Sequence, residues 1–122
     1  MNADYFFDTY AIIEIVEGKE NYRKYQGEPI ITTLYNIYEF TYYLLREHDK
    51  EKAEKVLDKL NYNILRPEEE NLFPATKLKL ENKKQQLSYV DCMGYQLAKE
   101  NDLRFLTGDQ EFKDKENVEY AK

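Results

Sequence analysis

Four acidic residues occupy positions that an ordinary surface carboxylate does not favour. Asp8 comes directly after the apolar triplet YFF of residues 5–7 and just before TYAIIEI. Glu39 sits in LYNIYEFTYYLL, where the residues three and four places away are Tyr35, Asn36, Tyr42 and Tyr43. The routine helix-surface ion pair with a lysine or arginine is therefore denied to it. Asp91, in LSYVDCMGYQLAKE, lies at the margin of an apolar stripe, has no basic residue one turn away, and is expected to have open space beside it at Gly94. Asp109 follows a second apolar run, RFLT. Carboxylates gathered at one place raise one another's pKa, and a divalent cation removes that conflict. The chemistry open to such a cluster is metal-assisted hydrolysis, which requires neither a histidine nor a serine nucleophile.

Each acid also has a plain structural role open to it. Asp8 or Thr9 can cap the helix that follows. Ser88 and Asp91 have the S-x-x-D spacing of a capping box. Asp109 can cap a short helix and pair with Lys113. Glu39 is the hardest to dismiss, because a mid-helix glutamate among tyrosines needs a partner from elsewhere in the fold. The single histidine, His48 in LLREHDKEK, reads as a solvated helix-end residue, and the single cysteine, Cys92, excludes an internal disulfide or a zinc site built on several thiolates.

Short apolar runs alternating with helical patterns are the elements that must position these acids. Strands are expected at 4–8, 29–33, 62–65, 104–107 and 118–120. Helices are expected at 10–17, ended by Gly18, at 34–47, after the cap Asp49, and at 88–100. A short helix fits ENYRKY, a single turn fits 110–113, and another helix lies between about 68 and 82, bent at Pro74 or starting there. In the helix over 34–47 the inward stripe is read as Leu34, Ile37, Tyr38, Thr41, Leu44 and Leu45. In the helix over 88–100 it is read as Val90, Met93, Gly94, Leu97 and Ala98. Strands separated by helices of this length imply right-handed crossovers. The expected fold is a three-layer α/β/α sandwich around a central, mainly parallel five-stranded sheet. Ligands in such sheets bind beyond the carboxyl ends of the strands. Asp8 closes the first strand and Asp109 follows the fourth, so both belong at that edge.

The 122 residues suit one domain, expected to span 1–122. No apolar run approaches the length of a membrane span and MNADYFF is not a secretory signal, so the expected location is cytoplasmic, with no membrane association. A net charge of −6 argues against nucleic-acid binding through a generally basic surface. Any such partner must be held locally. Lys77, Lys79, Lys83 and Lys84 form the densest basic run. It reads first as a solvated helix face, and second as a place for RNA phosphates or the acidic arm of a protein partner. Tyr35, Tyr42 and Tyr89 can stack on unpaired bases, although most tyrosines of the chain read as core or interface residues.

FFDT after the first strand, YEF within a helix, LSYVD opening a later helix and FLTGDQEF after a strand, in that order, resemble the PIN domain family. The likeness spans nearly the whole chain and is closest over LSYVDCMGYQLAKENDLRFLTGDQEF, where Ser88, Asp91, Leu106, Thr107, Asp109 and Phe112 match the family pattern. It implies a parallel sheet flanked by helices, with four acids holding one or two Mg²⁺ or Mn²⁺ ions to cleave RNA into 5′-phosphate and 3′-hydroxyl ends. By that resemblance Asp8, Glu39, Asp91 and Asp109 are the metal ligands and catalytic acids, with Thr9 and Thr107 as supporting hydroxyls. The compact length resembles the VapC-type toxins of prokaryotic toxin-antitoxin pairs, which adds an antitoxin protein and a homodimer to the expected partners. Cys92, Met93 and Tyr95, and the tyrosines at 35, 38, 42 and 43, depart from the family pattern without touching the acids. The alternatives are an RNA-processing or quality-control nuclease with the same site and no antitoxin, and a catalytically idle domain of the same fold that serves protein association.

Overall fold

The computed structural model describes residues 3–122. Its five strands, β1 (Tyr5–Phe7), β2 (Ile30–Thr32), β3 (Tyr62–Ile64), β4 (Arg104–Thr107) and β5 (Val118–Tyr120), form one sheet in the order β3-β2-β1-β4-β5. Every pairing is parallel. The strands are interleaved with helices α1 (Thr9–Val16), α2 (Leu34–Glu47), α3 (Lys50–Lys59), α4 (Glu69–Glu81) and α5 (Tyr89–Glu100), and with 3-10 turns at Glu20–Tyr25, Lys83–Gln85 and Gln110–Phe112. The expected three-layer α/β/α architecture and its segment assignments are therefore observed.

Alternation along the central strands divides the core in two, because successive strand side chains point to opposite faces. Phe7 and Leu106, paired in register, face α1, α2 and α3 through Ala11, Ile12, Ile37, Phe40, Leu44 and Ala53. Phe6 and Phe105, also in register, face α5 through Cys92, Tyr95 and Ala98. The Phe6 and Phe105 rings stack with centroids 5.8 Å apart. Gly94 is part of this layer. A Cβ there would lie 2.9 Å from Cε1 of Phe6, so the expected open space beside Asp91 is occupied by a core ring.

Two other expectations are corrected. The inner face of α2 carries Asn36, Ile37, Phe40 and Leu44, whereas Leu34, Tyr38 and Leu45 are 63%, 76% and 52% exposed. The helix is turned so that Phe40 fills the core and the polar Asn36 and Glu39 approach the sheet edge. On α5, Cys92 and Tyr95 join Gly94, Leu97 and Ala98 as buried residues, while Val90 and Met93 are half-buried. α4 runs from Glu69 through Pro74 rather than starting there. Its entry is held by Asn71, whose Oδ1 accepts the Glu68 N–H at 2.6 Å and whose Nδ2 donates to Glu100 on α5. Gly18 ends α1 with φ +69°, a conformation that favours glycine. His48 stands at the end of α2 as expected.

Candidate active site

The strand order places the site. From β1 the chain proceeds to β2 and β3 on one side, and β4 and β5 lie on the other, so the connections diverge between β1 and β4. A crevice opens at the carboxyl ends of strands where that happens. Asp8 follows β1, Thr107 ends β4 and Asp109 comes two residues later.

Asp8 still belongs to the ladder, since its N–H donates to Leu106 O at 3.2 Å, and it also caps α1 by accepting the Ala11 N–H on Oδ1 at 2.8 Å. It is only 4% exposed. Burial raises its pKa to about 7, the charges of Asp91 and Asp109 add to that rise, and hydrogen bonding by the Thr107 hydroxyl and the Ala11 amide opposes it. The Thr107 Oγ1 in turn accepts the Asp109 N–H at 2.9 Å. One buried hydroxyl thereby lies between the two acids of neighbouring strands. Asp109 Oδ1 caps the following turn by accepting from Glu111 N at 3.0 Å.

Asp91 opens α5 in the expected capping box, its N–H donating to Ser88 Oγ at 3.0 Å and its Oδ2 accepting the Ser88 N–H at 3.3 Å. Burial raises its pKa, the bonds from Ser88 oppose the rise, and the charges of Asp109 and Glu39 reinforce it. Glu39, which no cap explains, finds its partner across the fold. Thr9, the first residue of α1, donates its hydroxyl to Glu39 Oε1 at 2.5 Å. That length fits a charge-assisted O–H···O⁻ bond.

The four acids from four segments thus share one electrostatic field: Asp8 with Asp91 and Asp109, and Asp91 with Asp109 and Glu39. They do not form a closed ligand cage. Among the described residues, no group of three His, Cys, Asp or Glu side chains is arranged to hold a metal ion. As a donor set the acids fit a hard divalent cation, being all oxygen and mutually repulsive without one. Cys92 is buried in the α5-side core.

Among the lysines, Lys79 is engaged elsewhere. Its ammonium donates to Leu87 O at 2.6 Å and lies 4.5 Å from the centre of the Tyr89 ring, pinning the segment that leads into α5. Lys77 on α4, and Lys83 and Lys84 in the turn after it, are exposed and form no ion pair among the described residues. That turn is tied to the segment before β5 by Lys115, which donates to Asn82 Oδ1 and Gln85 Oε1.

Sequence reasoning missed two residues of the site. Asn36 is buried and hydrogen-bonded to Thr9, and its place one turn before Glu39 was the available signal. Gly108 allows the Thr107–Asp109 corner to close, since a Cβ there would stand 2.1 Å from Tyr10 Cε1 and 2.7 Å from Ala121 O. Its position between Thr107 and Asp109 marks it in hindsight.

The family model described as PIN domain matches residues 5–118, from the first strand to the last. The chain belongs to the PIN domain family. PIN domains are nucleases as a family. Solved structures share the fold at low identity. A toxin-antitoxin complex from Klebsiella pneumoniae matches with TM-score 0.74 and 18% identity, covering 95% of this chain and 96% of that one. A DNA-bound VapBC from Salmonella typhimurium matches with TM-score 0.74 and 14% identity, covering 98% and 97%. A Pyrobaculum aerophilum protein matches with TM-score 0.66 and 18% identity, covering 98% and 92%. No curated protein matches the sequence. Within this PIN domain, no helix among the described residues is long and apolar enough to cross a membrane.

Proposed function

We propose that this PIN domain is a metal-dependent endoribonuclease, and most simply the toxin of a toxin-antitoxin pair. The observation that carries the proposal is Asp8: a carboxyl buried at the junction of β1 and β4 and pushed up to about 7 by burial and by two further acids. A fold that needed only a helix cap there has uncharged choices such as serine or asparagine. Asp8, Glu39, Asp91 and Asp109 would hold Mg²⁺ or Mn²⁺. When bound, such an ion coordinates phosphate oxygens, lowers the pKa of an attacking water and neutralises the departing oxygen.

The remaining work falls to the chain. The amides of Ala11, Ser88 and Glu111 each engage one oxygen of Asp8, Asp91 and Asp109 and so fix the carboxylate orientations. Thr9 holds Glu39, and Thr107 links Asp8 to the Asp109 backbone. With a net charge of −6, attraction of RNA phosphates rests on local cations, and Lys77, Lys83 and Lys84 are exposed for it. A protein partner is supported by the apolar surface on α4 and the start of α5, where Leu72 and Tyr89, 55% and 77% exposed, line a cavity of about 220 Å³ and Phe73 on α4 is 82% exposed. The likeness to toxin-antitoxin complexes supports an antitoxin as that partner, and the same likeness admits a homodimer.

A second reading, an idle domain serving protein association, draws on two observations: Asp8, Asp91 and Asp109 all act as caps, and no ligand cage is formed among the described residues. Calorimetric titration with Mn²⁺ separates the two. The nuclease reading expects saturable binding by the parent chain, weakened binding by Glu39→Gln, and metal-dependent cleavage of single-stranded RNA that Asp8→Asn abolishes. Retained cleavage in Asp8→Asn, or no Mn²⁺ uptake at millimolar metal, refutes it. An RNA-processing nuclease without an inhibitor is distinguished by gene context, since a toxin lies beside a short reading frame for its antitoxin.

A further inference from the structure

Asn36 is an amide on the inner face of α2, 1% exposed, with both its side-chain oxygen and nitrogen hydrogen-bonded. Thr33, the N-cap of α2, accepts the Asn36 backbone N–H on Oγ1 at 3.2 Å and donates its hydroxyl to Asn36 Oδ1 at 2.6 Å. Asn36 Nδ2 donates to Thr9 Oγ1 at 3.1 Å, and Thr9 donates to Glu39 Oε1 at 2.5 Å.

The sense of this chain is set from its acidic end. A carboxylate only accepts, so the one hydroxyl hydrogen of Thr9 goes to Glu39 and its oxygen must receive from elsewhere. Asn36 supplies that donor with its NH₂, which turns its Oδ1 toward Thr33. Thr33 completes the series by donating, because the amide Oδ1 can only accept, while the Thr33 oxygen also takes the helix N–H. The bonds run Thr33 to Asn36 to Thr9 to Glu39, leaving α2 for α1 and returning to α2 one turn later. Capping of α2 needs only Thr33. The amide NH₂ reaches out of its own helix, to the hydroxyl that donates to Glu39.

We infer that Asn36 is a positioning residue of the acidic site, acting through Thr9 to hold the Glu39 carboxylate oriented for a divalent cation; this rests on the reading of Glu39 as a metal ligand. An unheld threonine hydroxyl can rotate and donate elsewhere. Partners behind a ligand characteristically change metal affinity by roughly ten- to a hundredfold.

The test is a double-mutant cycle read by Mn²⁺ calorimetry, with the metal-free melting temperature as the check on folding. Asn36→Leu and Thr9→Val are each expected to weaken Mn²⁺ binding by roughly tenfold. The double variant is expected to bind no more weakly than the worse single variant, and Thr9→Ser, which keeps the hydroxyl, to restore parent affinity. If Asn36→Leu does not fold, Asn36→Ala takes its place in the cycle, and the Thr9→Val and Thr9→Ser pair tests the same link without disturbing the interior of α2. Equal affinity of folded Asn36→Leu and the parent overturns the inference, as do strictly multiplicative losses in the double variant or failure of Thr9→Ser to rescue. A parent chain that takes up no Mn²⁺ overturns the metal reading itself and this inference with it.

Discussion

Replacing Asp8 by asparagine is expected to make the metal-free protein more stable at neutral pH while eliminating its nuclease activity. The carboxyl is raised from 3.8 to about 7, chiefly by burial. Because the folded-state pKa lies above the unfolded one, the folded protein holds the proton more tightly, and stability falls as pH rises from about 4 to about 7 and then levels. A rise of that size corresponds to roughly 4 kcal/mol of destabilisation above the folded pKa. Asparagine has the same shape and can still accept the Ala11 N–H, so the α1 cap survives. Its NH₂ meets the Thr107 hydroxyl less favourably than the carboxylate does, at a cost of about 1 kcal/mol. The net expectation is a gain of roughly 2 to 3 kcal/mol at pH 8 that vanishes near pH 4. Urea unfolding of both proteins in a metal chelator, across that pH range, measures it. Parallel stability profiles, or a parent chain more stable than Asp8→Asn at pH 8, would refute a carboxyl raised by burial at Asp8.

Three further outcomes are expected. Mg²⁺ or Mn²⁺ should raise the melting temperature of the parent chain by mass action, by about 2.7 kcal/mol of added stability at a hundredfold excess over the dissociation constant, and a flat thermal-shift response would count against a metal site. Gly108→Ala should lower the urea midpoint by about 1 to 3 kcal/mol of stability, because the new methyl meets the Tyr10 ring and the Ala121 carbonyl; an unchanged midpoint would contradict that crowding. Lys83→Glu with Lys84→Glu should weaken RNA binding and reduce its salt slope by about 1 per lysine while leaving Mn²⁺ affinity unchanged, and an unaltered salt dependence would remove this turn from the RNA path.

Much of the fold was legible because its signals are local. The runs RFLT and VEY, the caps Asp49 and Ser88, and the terminating Gly18 act through neighbouring backbone, so the elements around them could be assigned from spacing alone. Misreadings arose where the outcome depended on a distant partner. Leu34, Tyr38 and Leu45 suggested one inner face for α2, yet Phe40 packs better against Leu44 and the sheet, and that choice turns Asn36 inward. Gly94 looked like open space because Phe6, 88 positions earlier, was not visible as its filler.

The candidate site divides in the same way. Asp8, Asp91 and Asp109 stood out in the sequence because each lies at the start of a helix or turn, no more than three residues after an apolar run or a capping residue, relations that span a few residues. Glu39 stood out by lacking a local partner. What only the tertiary structure decided is that β1 and β4 lie side by side, which puts Asp8 and Asp109 in one field, and that α1 crosses α2 closely enough for Thr9 to reach both Glu39 and Asn36. Residues 27 and 30 positions apart can meet in this way only after the core has set the strand order and the rotation of α2, because hydrogen bonds act over about 3 Å whereas sequence patterns report only which face is apolar.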